Sequence, residues 1–381
     1  MRVYFDHAAT TPLAPEVIDA MLPYMQTHFG NPSAIHSFGR ETRSAIEKAR
    51  KTVAKYLNCS PGEIFFTSGG TESSNFAIRK GIEASGAKHI ITSPIEHHCV
   101  LHPLEEMDKA GKAKLHLVKV DSKGRFDLNH LEEMLKVFEA PVFVSLMHAN
   151  NEIGTMMDLD AVSEICNRYS AVLHTDTVQS MCHYKFDLKK TKVSMLQGSA
   201  HKFHGPKGSG FIYISSEIKL HPFIYGGGQE RNMRAGTENV YGIIGLAKAM
   251  DLAYENFESN KNHVESLRKY FMNQLKDNFQ GVTFNGDYDG NYLFTVLNCA
   301  FPHDDKSELL LFNLDVNGIA ASSGSACSSG SNKGSHVLEA IRCGADKVCI
   351  RFSFSHYNTT DEVDFAISKL KELLSVTVAV S

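Results

Sequence analysis

An alternation of short apolar runs with helix-like stretches is the feature that most limits what this chain can fold into. The runs lie at 63–67 (EIFFT), 89–93 (HIITS), 141–148 (PVFVSLMH), 171–175 (AVLHT), 193–196 (VSML) and 210–214 (GFIYI), with helix-like stretches at 41–57, 128–137 and 159–169. Parallel strands need long crossovers, usually helices, so this order predicts an α/β fold with a mostly parallel sheet covered by helices. Helical patterning returns at 240–255 and 263–278, and beyond it the runs 291–300 and 348–355 alternate with helical stretches at 307–314 and 361–374. That tail reads as a compact α+β unit, with Thr359-Thr360 as the N-cap of its last helix. The 381 residues exceed one small core. Two domains are therefore expected: a large one over 15–255, and a smaller one built from 1–14 and 256–381.

Charge narrows the partners. With 39 Lys and Arg against 43 Asp and Glu, the net charge is 39 − 43 = −4, without the excess positive charge of a nucleic-acid surface. The first residues, Met1-Arg2-Val3-Tyr4-Phe5-Asp6, lack the basic and apolar regions of a signal peptide. No run reaches the ~20 apolar residues of a membrane helix. The eight cysteines form no CxxC pair and have no zinc-ligand spacing, so they read as reduced thiols of a cytoplasmic protein, most of them buried. No metal site is expected.

Polar clusters follow five of the apolar runs. They are Ser68-Gly69-Gly70-Thr71-Glu72-Ser73, Pro94-Ile95-Glu96-His97-His98, Ala149-Asn150-Asn151-Glu152, Asp176-Thr177-Val178-Gln179 and Gln197-Gly198-Ser199-Ala200-His201-Lys202. Ligands of open α/β sheets collect beyond the carboxyl ends of the strands, so these clusters converge on one edge. Gly69-Gly70-Thr71 at a helix start suits a phosphate, because backbone amides and the helix dipole both favour an anion; a Gly-Gly turn is also an ordinary connection. Asp176 is either a helix N-cap or a carboxylate that pairs with the protonated pyridine nitrogen of pyridoxal 5'-phosphate. Lys202, in a short polar turn, is either solvated or the amine that carries that cofactor as a Schiff base.

One cysteine stands apart. Cys327 lies in Ser323-Gly324-Ser325-Ala326-Cys327-Ser328-Ser329-Gly330-Ser331-Asn332-Lys333-Gly334-Ser335, a run almost free of large apolar residues. Such a run reads as a long mobile loop (about 322–335), where a conventional buried cysteine has no reason to be.

Motifs spread along the chain resemble the cysteine desulfurases, a class V branch of the fold type I pyridoxal-phosphate enzymes. The matching segments include Phe5-Asp6-His7-Ala8-Ala9-Thr10-Thr11-Pro12, Gly30-Asn31-Pro32-Ser33, Glu96-His97, 148–154, 176–180, 199–208, 226–237 (GGGQERNMRAGT), 322–328 and Arg351-Phe352-Ser353. The resemblance implies a seven-stranded, mostly parallel sheet in the large domain. It implies that Lys202 holds the cofactor and moves the Cα proton, that Asp176 pairs with the ring nitrogen, and that His97 stacks on the ring and takes part in acid–base steps. Gln179 and Asn151 would orient the ring oxygen and the substrate. Gly70, Thr71, Ser199 and His201 would hold the phosphate, and Thr237 would reach the phosphate of a neighbouring subunit, making a homodimer part of the site. Arg351 would clamp the substrate carboxylate with its planar fork.

Cys327 then selects the reaction. Its thiolate would attack the sulfur of bound L-cysteine, keep that sulfur as a persulfide and leave alanine. The Ser-Gly-Ser-Ala-Cys form resembles the long-loop branch that supplies iron–sulfur assembly and thiolated tRNA through acceptor proteins. Two stretches depart from the family pattern: Phe354-Ser355-His356-Tyr357 replaces a common Leu-Gly-Arg-Phe, and Asn332-Lys333-Gly334 replaces Leu-Glu-Pro. The alternatives are a selenocysteine lyase, another class V aminotransferase-like enzyme, or a non-enzymatic scaffold for sulfur-transfer partners.

Overall fold

The computed structural model describes residues 1–138, 141–305, 307–323, 334–344 and 346–374. In chain order its strands are β1 (Val3–Tyr4), β2 (Ile64–Thr67), β3 (His89–Thr92), β4 (Lys114–Leu117), β5 (Val142–Ser145), β6 (Val172–Asp176), β7 (Met195–Ser199), β8 (Gly210–Ile214), β9 (Thr283–Asn285), β10 (Val296–Pro302), β11 (Ile319–Ala320) and β12 (Lys347–Ser353). Strands β2 to β8 form one sheet in the order β2-β8-β7-β6-β5-β3-β4. Every pairing in it is parallel except the two made by β8. Because β8 opposes both β2 and β7, those two run the same way, and the carboxyl ends of β2, β3, β5, β6 and β7 share an edge.

The apolar runs are continuous because the sheet is covered on both faces. Neighbouring residues of a strand point to opposite sides. Phe66, Val144 and Leu196 join one apolar cluster, with Val53, Leu57 and Leu246. Phe65, Phe143 and Met195 join another, with Phe76 and Ile82. Each such side chain, taken from water, contributes about 1.5–3 kcal/mol.

Three elements differ from the sequence expectation for identifiable reasons. Strand β7 runs on through Gln197, Gly198 and Ser199, followed by a single 3-10 turn, Ala200–Lys202, where a polar loop from 197 was expected. Gln197 tolerates full burial because its side chain accepts from or donates to His174 Nε2 and Ser74 Oγ, both at 2.8 Å. Strand β4 has no counterpart among the expected runs. It is an edge strand with both ends exposed, so it lacks the apolar continuity that marks its neighbours. The first long helix also starts before residue 41, at Ser37, where the His36 side chain accepts from the Gly39 N–H. The last helix, Thr360–Leu374, begins as expected. Thr359 Oγ1 accepts from the Glu362 N–H, and Glu362 Oε2 accepts from the Thr359 N–H.

A third apolar cluster gathers Phe271, Leu297, Phe301, Phe352 and Phe354 from the C-terminal third, and it takes in Val3 and Phe5 from the start of the chain. Strand β12 pairs with β10 and β10 with β9, all antiparallel, while β1 pairs with β11. The Ser353 N–H donates to Phe5 O at 2.7 Å, which holds the first residues against β12. From there residues 6–12 cross to the carboxyl edge of the large sheet. No described helix is long and apolar enough to cross a membrane.

Candidate active site

At that edge a cavity of about 230 Å³ brings together Gly70, Thr71, His97, Asn151, Asp176, Gln179, Ser199, His201, Lys202 and Arg351. These ten residues were expected to share a site, and they come from six separate stretches of chain. Thr237 is not among them. It is exposed and lines a separate cleft of about 170 Å³ with Thr67, Ser68 and Arg234. Cys327 lies outside the described residues. A larger cavity, about 330 Å³, is bounded by Phe203, His204, Phe257 and His356 and contains none of the expected site residues.

The end of β6 delivers Asp176 into the cavity, and its carboxylate accepts from the Val178 N–H at 2.9 Å. Burial raises its pKa, while Val178, His174 and Lys202 pull it back down. A buried carboxylate of this kind favours a cationic partner over water. Lys202, closing the 3-10 turn after β7, donates through Nζ to Ala8 O at 2.6 Å and Ala9 O at 2.8 Å. Gln179 Nε2 reaches the same Ala8 O at 2.9 Å. The N-terminal segment therefore forms a wall of the cavity, and its carbonyls hold the lysine.

His97 caps the helix His98–Lys109, its Nδ1 accepting from the Cys99 N–H at 3.1 Å. That acceptor role leaves the ring proton on Nε2. Burial first, then the charge of Lys202, lowers its pKa to about 4, so the ring is neutral at physiological pH. Burial lowers His201 to about 4 as well, and its Nδ1 meets Thr10 Oγ1 at 3.1 Å.

Opposite Asp176 the helix Gly70–Ser85 begins, and Gly69 before it has φ +150. A Cβ on Gly70 would meet Val178 Cγ2 at 2.7 Å, so the glycine lets the start of the helix pack closely against Val178 where both line the cavity. Arg351, 1% exposed, donates from one terminal nitrogen to Asn151 O at 2.8 Å and from the other to Asp6 Oδ1 at 2.7 Å. Its Nε is buried with no hydrogen-bond partner among the described residues.

The segment that holds Cys327 is tied to this cavity at both ends. On one side the Ser322 backbone exchanges hydrogen bonds with that of Arg351. On the other, Ser335 Oγ donates to Glu152, and His336 Nε2 lies 2.9 Å from Glu96 O. Sequence reasoning named Ser322 and Ser335 only as loop limits. It gave no role to the carbonyls of Ala8 and Ala9, or to Cys99, whose Sγ lies 3.9 Å from Asp176 Oδ2.

Beside the cavity, Glu96 is fully buried. Its Oε1 accepts from Ser93 Oγ at 2.6 Å and the Met147 N–H at 3.0 Å, while Oε2 has no partner among the described residues. Burial pushes this carboxyl up to about 8, so it is largely protonated at neutral pH. A raised carboxyl adds stability below its unfolded pKa of about 4.3, and that stability is lost as pH rises through the folded value. Glu96→Gln keeps the acceptor oxygen but cannot ionise. Unfolding measured from pH 4 to 8 should show the wild type losing about 3–5 kcal/mol relative to this variant.

A family model described as Aminotransferase class-V matches residues 3–365. The chain is 43% identical over 378 residues to a protein of Dictyoglomus turgidum named Cysteine desulfurase IscS, covering 98% of this chain and 94% of that one. It is 41% identical to the Putative cysteine desulfurase IscS 1 of Bacillus subtilis, covering 98% of each. Among solved structures, a NifS-like protein superposes with a TM-score of 0.91 at 38% identity, over 98% of this chain and 100% of that one. A structure described as SspA in complex with cysteine gives 0.80 at 31% identity, over 94% and 100%.

Proposed function

The chain belongs to the class V aminotransferase family and is a cysteine desulfurase, and from that premise we propose that the cavity around Lys202 holds pyridoxal phosphate and L-cysteine while Cys327 receives the sulfur. The observation that carries this reading is the meeting of a buried carboxylate, Asp176, with a lysine and an open helix start in one cavity. The donor set fits the cofactor: Lys202 Nζ for its aldehyde, Asp176 for its pyridine nitrogen, and Gly70, Thr71, Ser199 and His201 for its phosphate. Gln179 and the neutral ring of His97 would bound its remaining edge and face. When bound, pyridoxal phosphate supplies an electron sink for the pair released at the substrate Cα.

The protein's own groups do the rest. Lys202 Nζ, which donates to the Ala8 and Ala9 carbonyls in the structure, would take the proton from Cα as a neutral amine once substrate has released it from the cofactor's aldehyde. Arg351, with Asn151 beside it, would fix the substrate carboxylate through the guanidinium N–H groups that Asn151 O and Asp6 Oδ1 do not engage. The Cys327 thiolate then attacks the substrate sulfur. A sulfur–sulfur bond forms, the carbon–sulfur bond breaks, its electron pair stays on Cβ, and protonation there yields alanine. The backbone pairing of Ser322 with Arg351 supports this role: Cys327 is five residues further on, and extended chain spans about 3.3–3.6 Å per residue.

We further infer that the persulfide passes to an acceptor protein of iron–sulfur assembly or tRNA thiolation in the cytoplasm. The exposure of Thr237 outside its own cavity supports a homodimer in which it serves the partner's phosphate. The deciding experiment is mass spectrometry after incubation with L-cysteine. A gain of about 32 Da on Cys327, with alanine as co-product, is expected. Sulfur on another cysteine, or pyruvate in place of alanine, would overturn the assignment. Arg351→Lys keeps the charge but loses the fork, so KM for L-cysteine should rise about 10–100-fold in steady-state assays, with a smaller change in kcat.

A further inference from the structure

Most of the eight cysteines were expected to be buried, yet Cys343 and Cys349 are both half-exposed and their sulfurs lie 3.4 Å apart. The two residues sit on different kinds of backbone. Cys349 is in the middle of β12, its Sγ accepting from Asn285 Nδ2 at 3.3 Å. Cys343 lies three residues past the short helix His336–Ala340, in the turn that follows it. There Arg342 adopts φ +60, the Cys343 N–H returns to Leu338 O at 2.9 Å, and the Arg342 N–H returns to Glu339 O at 3.0 Å. A disulfide needs about 2.05 Å between sulfurs, so the pair must close by a little over 1 Å. Cys343 lies in a turn with exposed neighbours, Arg342 and Gly344, and can supply that movement.

We propose that Cys343 and Cys349 are a redox-active dithiol that a hydroperoxide oxidises to an intramolecular disulfide. The hydrogen bond from the Cys349 thiol is the main reason Cys343 loses its proton more readily than a free thiol, and Cys349 correspondingly holds its own more tightly. The Cys343 thiolate attacks the peroxide. A sulfur–oxygen bond forms, the oxygen–oxygen bond breaks, and one water leaves after protonation. Cys349 then attacks the Cys343 sulfur, the sulfur–sulfur bond forms, and the oxygen leaves as a second water. Two thiols lose two electrons and hydrogen peroxide becomes two waters.

The position of the pair links it to the site. The helix His336–Ala340 that precedes the Cys343 turn is capped by Ser335, and Ser335 and His336 reach Glu152 and Glu96. Cys349 is two residues before Arg351, on the same face of β12. The disulfide therefore pins the helix leaving the Cys327 segment to the strand that holds Arg351. This effect on turnover rests on the desulfurase reading, whereas the oxidation itself does not.

The test exposes reduced holoenzyme to hydrogen peroxide, blocks free thiols with iodoacetamide and maps tryptic peptides. Cleavage after Arg342, Lys347 and Arg351 separates the two cysteines, so the disulfide appears as two linked peptides, about 2 Da lighter than their sum and released by dithiothreitol. Cys343→Ser should remove that species and leave Cys349 open to iodoacetamide. Turnover lost to peroxide and recovered with dithiothreitol should be at least about twofold greater in wild type than in Cys343→Ser. If both cysteines remain alkylatable while other thiols oxidise, or Cys343 becomes a sulfinic acid beside a free Cys349, there is no dithiol site. Equal recoverable losses in the two proteins would refute the link to the active site, whatever the peptides show.

Discussion

Lys202→Ala should lower the conversion of L-cysteine to alanine by at least about 10³–10⁴-fold, because the variant loses both the amine that holds the cofactor and the base that takes the Cα proton. The fold should survive. Lys202 Nζ satisfies the carbonyls of Ala8 and Ala9, but both atoms border a cavity where water can take its place. A visible absorbance band near about 420 nm, expected of the wild-type holoenzyme, should be missing from the variant, while its thermal midpoint changes by only a few degrees. A variant that keeps the band and a tenth or so of the turnover would remove Lys202 from the chemistry.

Cys327→Ala should leave that absorbance intact and reduce persulfide and sulfide production by at least about 10³-fold. Cys343 and Cys349 do not line the cavity, and the other described cysteines offer no substitute nucleophile. Burial pushes Cys59 and Cys166 up to about 12, and it raises Cys182 and Cys299 as well. Cys99 does line the cavity, but its thiol is directed at Asp176 Oδ2. Holoenzyme spectra and sulfide release, measured together, separate this result from loss of the cofactor. Sulfide released at the original rate would mean that another group breaks the carbon–sulfur bond.

The sheet was legible because burial on both faces writes itself into sequence as uninterrupted Ile, Val, Leu and Phe. Where that rule lapses, legibility lapses too. Edge strand β4 exposes Lys114 and Leu117, and β7 carries Gln197 inward on a hydrogen-bond network that no local pattern reveals. The residues of the candidate site were legible for a different reason: Lys202, Asp176, His97 and Arg351 carry side chains of distinctive chemistry, and they line one cavity. The groups that hold them were not. Lys202 is held by two alanine carbonyls, and backbone atoms leave no compositional trace. The Cys343–Cys349 contact was equally hidden. Six residues separate the two along the chain, and a helix end meeting a strand, not any motif, brings their sulfurs together.

The pairing of Arg351 with Asp6 spans 345 positions of the chain, and the hold of Ala8 on Lys202 spans 194. Such contacts fix the timetable of biosynthesis. The segment around Asp6 leaves the ribosome well before Arg351 and cannot meet it until the intervening chain has followed. At about 5–20 residues per second, those 345 positions take roughly 17–69 s. The strands of the large sheet, which contact one another over shorter separations, can pair during this interval. The nascent chain therefore passes through a stage in which the sheet exists and the cavity still lacks the wall that Arg351 completes.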